Sequence, residues 1–207
     1  MSYRPRERPR LIGRAHTLAA VLAAGLAFAA APASATCGHE RLPARGAPAG
    51  VAPLAIGDSV MLGAARPLAH RGFEVDAKCG RSPYGGLFVL RRRHRRHTLP
   101  ETVVMALGTN FFITSRQIKK ALRILGRRRT LFLVTPYRSW RAVGNAPIRR
   151  AASSRPGRVT MIDWSSLAYG HDWWFQGDGT HLLRPGVAAY TGLLKRAVWA
   201  RQRGSFG

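Results

Sequence analysis

The sequence predicts an α/β protein: a three-layer α/β/α sandwich built on a five-stranded parallel sheet. Three observations carry this. Short apolar runs, three of them rich in β-branched residues, alternate five times with longer polar or amphipathic stretches, the pattern of βαβ units whose sheet is covered on both faces. Each intervening stretch is long enough for a helix. Glycines and small polar residues gather just after the apolar runs, and in parallel sheets the working residues sit at the carboxyl ends of strands.

Taken in order, residues 1–35 read as an export signal. Arg4, Arg6, Arg8, Arg10 and Arg14 form a basic start, Leu18 to Ala31 an apolar stretch too short to span a bilayer, and Ala33-Ser34-Ala35 a small-residue cleavage site. An uncleaved anchor is the alternative. Residues 36–50, rich in Ala, Gly and Pro, read as a flexible lead-in, and 51–203 as the domain. The first strand, Val51–Ile56, ends in Gly57-Asp58-Ser59 and leads into a helix over Ser59–His70. The second, Gly72–Ala77, is followed by Lys78-Cys79-Gly80-Arg81 and a helix over Pro83–His97. The third, Thr102–Leu107, ends in Gly108-Thr109-Asn110 before a helix over Ser115–Arg127. The fourth, Thr130–Val134, ends in Thr135-Pro136-Tyr137 before a helix over Ala146–Arg155. The fifth, Val159–Ile162, leads through Asp163-Trp164 to Gly177-Asp178-Gly179-Thr180-His181. A last helix runs from Pro185, at its first position, to about Arg203.

Charge bounds the partners. The net charge is +25 over 207 residues; residues 1–35 hold five Arg and one Glu, so +21 and eight carboxylates remain after cleavage. Such a chain is drawn to polyanions. Export disfavours nucleic acid and points to anionic wall polymers or membrane surfaces, although much of the excess reads as arginine placed wherever a solvated side chain is tolerated. The run Arg91–His97, "RRRHRRH", reads as a solvated helix face, with polymer binding as the alternative. Cys37 and Cys79, the two cysteines, are expected to form one disulfide in an oxidising compartment.

Ser59 would open a helix at the end of a strand, its hydroxyl above the sheet. His181 offers a base and Asp178, three residues earlier, a carboxylate to orient it. The Ser59 N–H, the Gly80 N–H and the Asn110 amide offer donors to an oxyanion. Singly, each piece has a plainer reading: an N-cap at Asp58-Ser59, a surface turn at Asp178–His181, a turn at Gly108–Asn110. His171, Asp172, Asp178 and His181 carry metal-type donors, but their spacing matches no familiar ligand pattern. No metal and no cofactor is expected. Trp173, Trp174 and Phe175 suit either stacking on sugar rings or a core lid, and Asn145 is given no role.

Four segments, "IGDSVMLG", "AKCGRS", "ALGTN" and "GDGTHL", resemble the sequence blocks of the SGNH (GDSL-type) hydrolase superfamily over about residues 51–200. The likeness is closest to the SGNH domains associated with peptidoglycan O-acetyltransferases. The resemblance implies a flavodoxin-like sheet, a Ser59–His181–Asp178 triad, and an oxyanion hole of Ser59, Gly80 and Asn110. Two departures stand out: Val60 replaces the usual Leu after Gly-Asp-Ser, and Phe111 follows Asn110 where an Asp is often found. With no membrane acyltransferase part ahead of the domain, the expectation is an exported serine esterase acting on acetyl esters of wall or other carbohydrate. It is expected to act as a monomer, secreted, periplasmic or wall-associated after cleavage near Ala35. The alternatives are an O-acetyltransferase using the same triad and a non-catalytic basic module that binds wall polymer.

Overall fold

In the computed structural model the described residues are 37–46, 51–137 and 141–203; the signal-peptide reading of 1–35 and Trp140 lie outside them. Six strands form one sheet: β1 (His39–Leu42), β2 (Leu54–Gly57), β3 (Glu74–Lys78), β4 (Thr102–Ala106), β5 (Thr130–Val134) and β6 (Val159–Ile162), in the order β1-β3-β2-β4-β5-β6. β2 to β6 are parallel, and β1 runs antiparallel along the edge of β3 with His39 opposite Lys78. The helices are α1 (Ser59–Gly63), α2 (Ala65–His70), α3 (Pro83–Arg95), α4 (Ser115–Leu125), α5 (Arg141–Ser154), α6 (Trp164–Leu167) and α7 (Arg184–Arg203), with a 3-10 turn at Asp172–Trp174.

The five parallel strands match expectation; the sheet has a sixth. β1 lies in the segment read as a lead-in, so that reading is corrected for residues 39–42. A disulfide from Cys37 to Cys79, with Cα atoms 5.2 Å apart, fastens the strand beside β3. Inside β3, the fully buried Asp76 accepts from His39 at 2.8 Å, Arg81 at 2.5 Å and Arg92 at 2.9 Å. A lone buried carboxylate would be costly; these donors, two of them arginines, answer it. Burial alone would raise the Asp76 pKa, yet the Arg81 and His39 bonds hold it below the ordinary carboxylate value. Arg93 likewise pairs with Glu74. The arginine run is therefore half inward: Arg92 and Arg93 face β3, while Arg95 and Arg96 are exposed.

The predicted helix over 59–70 is two helices, broken at Ala64. Pro67 has no N–H to donate, so it fits the first turn of a new helix better than the interior of a long one. α5 begins at Arg141, earlier than the expected Ala146.

Alternation along the strands fills two cores. Leu54, Ile56, Val103, Met105, Leu131 and Leu133 pack with α3, α4 and α5 in an aliphatic layer. Ala55, Val104, Phe132 and Val134 face the other way, against α1, α2, α6 and α7. That second layer is aromatic: Trp164 stacks on Trp174 at 5.8 Å and meets Tyr190 edge-on at 5.1 Å. At Gly186 an added Cβ would sit 2.4 Å from the Trp174 carbonyl, so glycine lets α7 close on this layer. The layer supports the loop that carries Asp178 and His181.

Candidate active site

The site is built at the carboxyl rim. β2 lies between β3 and β4, with Gly57 opposite both Ala77 and Ala106. Ser59, Gly80 and Asn110 therefore leave the same edge of three adjacent strands, two to four residues past paired positions. Asp58 turns the chain: its Oδ1 accepts the Val60 N–H at 3.1 Å and caps α1, which makes Ser59 the first helical residue. The Ser59 N–H is thereby among the amides without an intrahelical partner. Asp58 itself is 1% exposed. Burial pushes its pKa up to about 6, against the lowering pull of the Val60 amide, Thr109 and the His181 charge.

His181 and Asp178, the expected base and its orienting carboxylate, come from one tight hairpin. Phe175 bridges Leu182, Gln176 N–H donates to the His181 carbonyl at 2.7 Å, and Gly179 N–H donates to the Gln176 carbonyl at 2.8 Å. Gly179 turns at φ +62°, in the left-handed region that glycine enters without a Cβ penalty. Asp178 Oδ1 accepts the Thr180 and His181 amides at 2.8 and 2.9 Å, and Oδ2 accepts His181 Nδ1 at 2.5 Å. One carboxylate so holds both the loop and the ring. Desolvation would raise the Asp178 pKa, but the imidazole and the two amides outweigh it and hold it at about 2. With Nδ1 bound to Asp178, Nε2 is the nitrogen left for proton transfer.

Neighbours of these residues line a water-sized cavity of about 20 Å³. Asp58 and Val60, flanking Ser59, line it together with Thr109, which precedes Asn110, and Thr180, which precedes His181. The His181 ring is hydrogen-bonded to Asp178, and among the described residues no direct hydrogen bond joins it to Ser59. Gly80, at φ +64°, borders a cavity of about 360 Å³ beside Arg81 and Arg92. The exposed Asn110 borders another of about 330 Å³ with Phe111 and Phe112. Gly80 and Asn110 thus each line an open hollow on this rim.

Other candidates separate cleanly. Trp174 is core, whereas Trp173 is 61% exposed at the rim. His171 stacks on Trp174 with ring centroids 4.0 Å apart. Asn145 is fully buried and donates to the Pro136 carbonyl at 3.2 Å, holding the end of β5. Two features escaped the sequence reading. Thr135 donates to Asp163 at 2.9 Å and accepts the Ser165 amide at 2.9 Å, tying the ends of β5 and β6; the Asp163-Trp164 pair was the visible trace. The burial of Asp58 left no trace in sequence.

No protein-family model matches the chain. The peptidoglycan O-acetyltransferase OatA of Listeria monocytogenes is 33% identical over 145 residues, 68% of this chain and 23% of that protein. This chain spans about a quarter of the length of the curated relatives it matches. Among solved structures, the C-terminal catalytic domain of Streptococcus pneumoniae peptidoglycan O-acetyltransferase A, carrying a methylsulfonyl adduct, superposes with a TM-score of 0.65 at 22% identity. It covers 74% of this chain and 95% of that domain. A family 3 carbohydrate esterase of Clostridium thermocellum superposes at 0.56 with 14% identity, over 74% and 98%. These two share the fold.

Proposed function

We propose that this chain, which belongs to the SGNH (GDSL-type) hydrolase superfamily, is an exported serine enzyme of acyl-ester chemistry on wall glycan. Its main reaction in this reading is hydrolysis of acetyl esters. The single observation that carries the proposal is the hydrogen bond from His181 Nδ1 to Asp178 Oδ2 on a loop packed against the Ser59 corner.

His181 Nε2 takes the proton of Ser59 Oγ as Oγ bonds to the ester carbonyl carbon. The carbonyl oxygen becomes an oxyanion facing the Ser59 and Gly80 amides and the Asn110 side chain. The bond to the sugar oxygen then breaks, and that oxygen leaves with the proton held by His181. An acetyl-serine remains. Water, deprotonated by His181, attacks it; acetate departs and Oγ regains its proton. Asp178 stays ionised and steadies the imidazolium.

Openness favours water as acceptor: the Asp178 and His181 side chains are 46% and 28% exposed. The names of the relatives favour a second reading, in which a sugar hydroxyl takes the acetyl group in place of water. Turnover of an activated acetyl ester, with and without a chito-oligosaccharide acceptor, tests both. Ser59→Ala is expected to remove about 10⁴–10⁶-fold of the rate. Unchanged turnover in that variant contradicts the assignment of Ser59 as nucleophile; no turnover in the parent leaves a binding module. Acetylated sugar detected by mass spectrometry selects transfer; free acetate alone selects hydrolysis.

A further inference from the structure

A second built feature lies away from the acyl site. A groove of about 760 Å³ runs between α4 and the loops that enter β5 and β6 at their amino ends. One wall is the exposed stripe Arg116, Lys119 and Arg123, at i, i+3 and i+7 on α4, continued by Arg127. At 1.5 Å of rise per residue this sets a cation about every 5 Å over about 10 Å of helix. The facing wall supplies Arg155 and Arg158. Arg158 is fixed in place, donating through Nε to the Arg129 carbonyl at 3.2 Å and through Nη2 to the Gly126 carbonyl at 2.5 Å. A neighbouring hollow of about 400 Å³ shares Lys119 and Arg155 and adds Arg150, so the channel continues along α5.

Among the described residues that line either hollow, none is a carboxylate and none is aromatic. The eight carboxylates of residues 36–207 all lie elsewhere. Seven like charges gathered without a counter-charge repel one another, and a bound polyanion relieves that repulsion. Six of the seven are arginine, whose planar fork fits phosphate oxygens in pairs. A linear channel suits a linear chain rather than a small ion. The lack of aromatic rings removes the stacking platform on which bases rest, and equally the rings on which sugar faces rest.

We propose that this groove docks a linear phosphodiester polymer without bases, of the polyol-phosphate kind, and holds the enzyme on it while the acyl site works elsewhere. The groove is independent of the catalytic reading, because it shares no lining residue with Ser59, Asp178 or His181.

The test uses fluorescence anisotropy with a labelled ten-repeat glycerol-phosphate oligomer, titrated from 50 to 200 mM salt. Comparison probes are an oligouronate of equal charge and a ten-nucleotide single-stranded DNA. The groove variant is Arg116→Gln/Lys119→Gln/Arg123→Gln, all exposed positions. A control of equal charge loss, Arg95→Gln/Arg96→Gln/Lys195→Gln, lies outside both hollows. The glycerol-phosphate oligomer is expected to bind tightest. The groove variant is expected to weaken it at least 10-fold and to lower the salt slope by about 2. The control is expected to change affinity less than 3-fold, Ser59→Ala to bind as the parent does, and ester turnover to be equal in groove variant, control and parent. Equal weakening in variant and control, tighter binding of oligouronate or DNA, or no binding at 50 mM salt would overturn the proposal.

Discussion

At the carboxyl rim Asp178 and Asp163 each have their own hydrogen-bond donors; in the groove beside α4 no cation is answered by a carboxylate. Asp178 has His181 and two amides, and Asp163 has Thr135, Ser165 and Ser166. Across the molecule, Arg116, Lys119, Arg123, Arg127, Arg155 and Arg158 share one hollow. The two arrangements do different physical work. A rim that moves a proton, as proposed, needs each group aimed closely, so each of its residues is expected to be singly important. A field built from many cations is collective, so any one of them is dispensable.

Single substitutions should expose that difference first. Removing His181 with Ala is expected to cost about 10⁴-fold or more in ester turnover, and Asp178→Asn, which leaves the ring without its anionic partner, up to about 10⁴-fold in kcat. Lys119→Gln alone is expected to leave turnover unchanged and to weaken glycerol-phosphate binding only about 2- to 3-fold, measured in the same protein. Asn110→Ala comes next. If its amide faces the oxyanion, kcat falls about 10²–10³-fold with little change in KM; a change in KM alone would make it a binding residue instead.

Stability separates the regions again. Cys79→Ser opens the loop closed to Cys37, 42 residues away, and is expected to cost about 3–4 kcal/mol in chemical denaturation. The three groove substitutions should cost almost nothing, or stabilise slightly by relieving repulsion. A pH-dependent effect belongs to Asp58, the rim carboxylate that no cation pairs with directly. Its folded pKa of about 6 lies above the ordinary value of 3.8. The folded state therefore binds the proton more tightly than the unfolded one. Stability from this group is full below about pH 4 and is lost as pH rises through about 6, by at most about 3 kcal/mol. Asp58→Asn, which keeps an acceptor for the Val60 amide, is expected to flatten the thermal midpoint between pH 4 and 7. A slope equal to that of the parent would assign the pH dependence to another group.

What the sequence made legible follows from how local each feature is. β5 and β6 were expected at Thr130–Val134 and Val159–Ile162 and are found there, because a buried parallel strand is a short apolar run bounded by turns. The Asp178–His181 pair was legible because both ends of the hydrogen bond lie in one hairpin three residues apart. β1 was not: His39-Glu40-Arg41-Leu42 has half-exposed polar positions, and what fixes it is Asp76 and Cys79, far along the chain. The burial of Asp58 under Thr109 and Tyr190 is likewise a product of tertiary packing. The groove was foreshadowed only as net charge, since its walls come from segments about thirty residues apart. The densest charge run, "RRRHRRH", lies elsewhere, and part of it turns inward to Asp76 and Glu74.

The most direct test of the central claim is covalent labelling with a fluorophosphonate, read by intact mass and peptide mapping. A reactive hydroxyl at the α1 corner, served by the imidazole that Asp178 holds, predicts one adduct per chain, on Ser59, and none in His181→Ala. An adduct on another residue, or labelling of Ser59 at the same rate without His181, would contradict it.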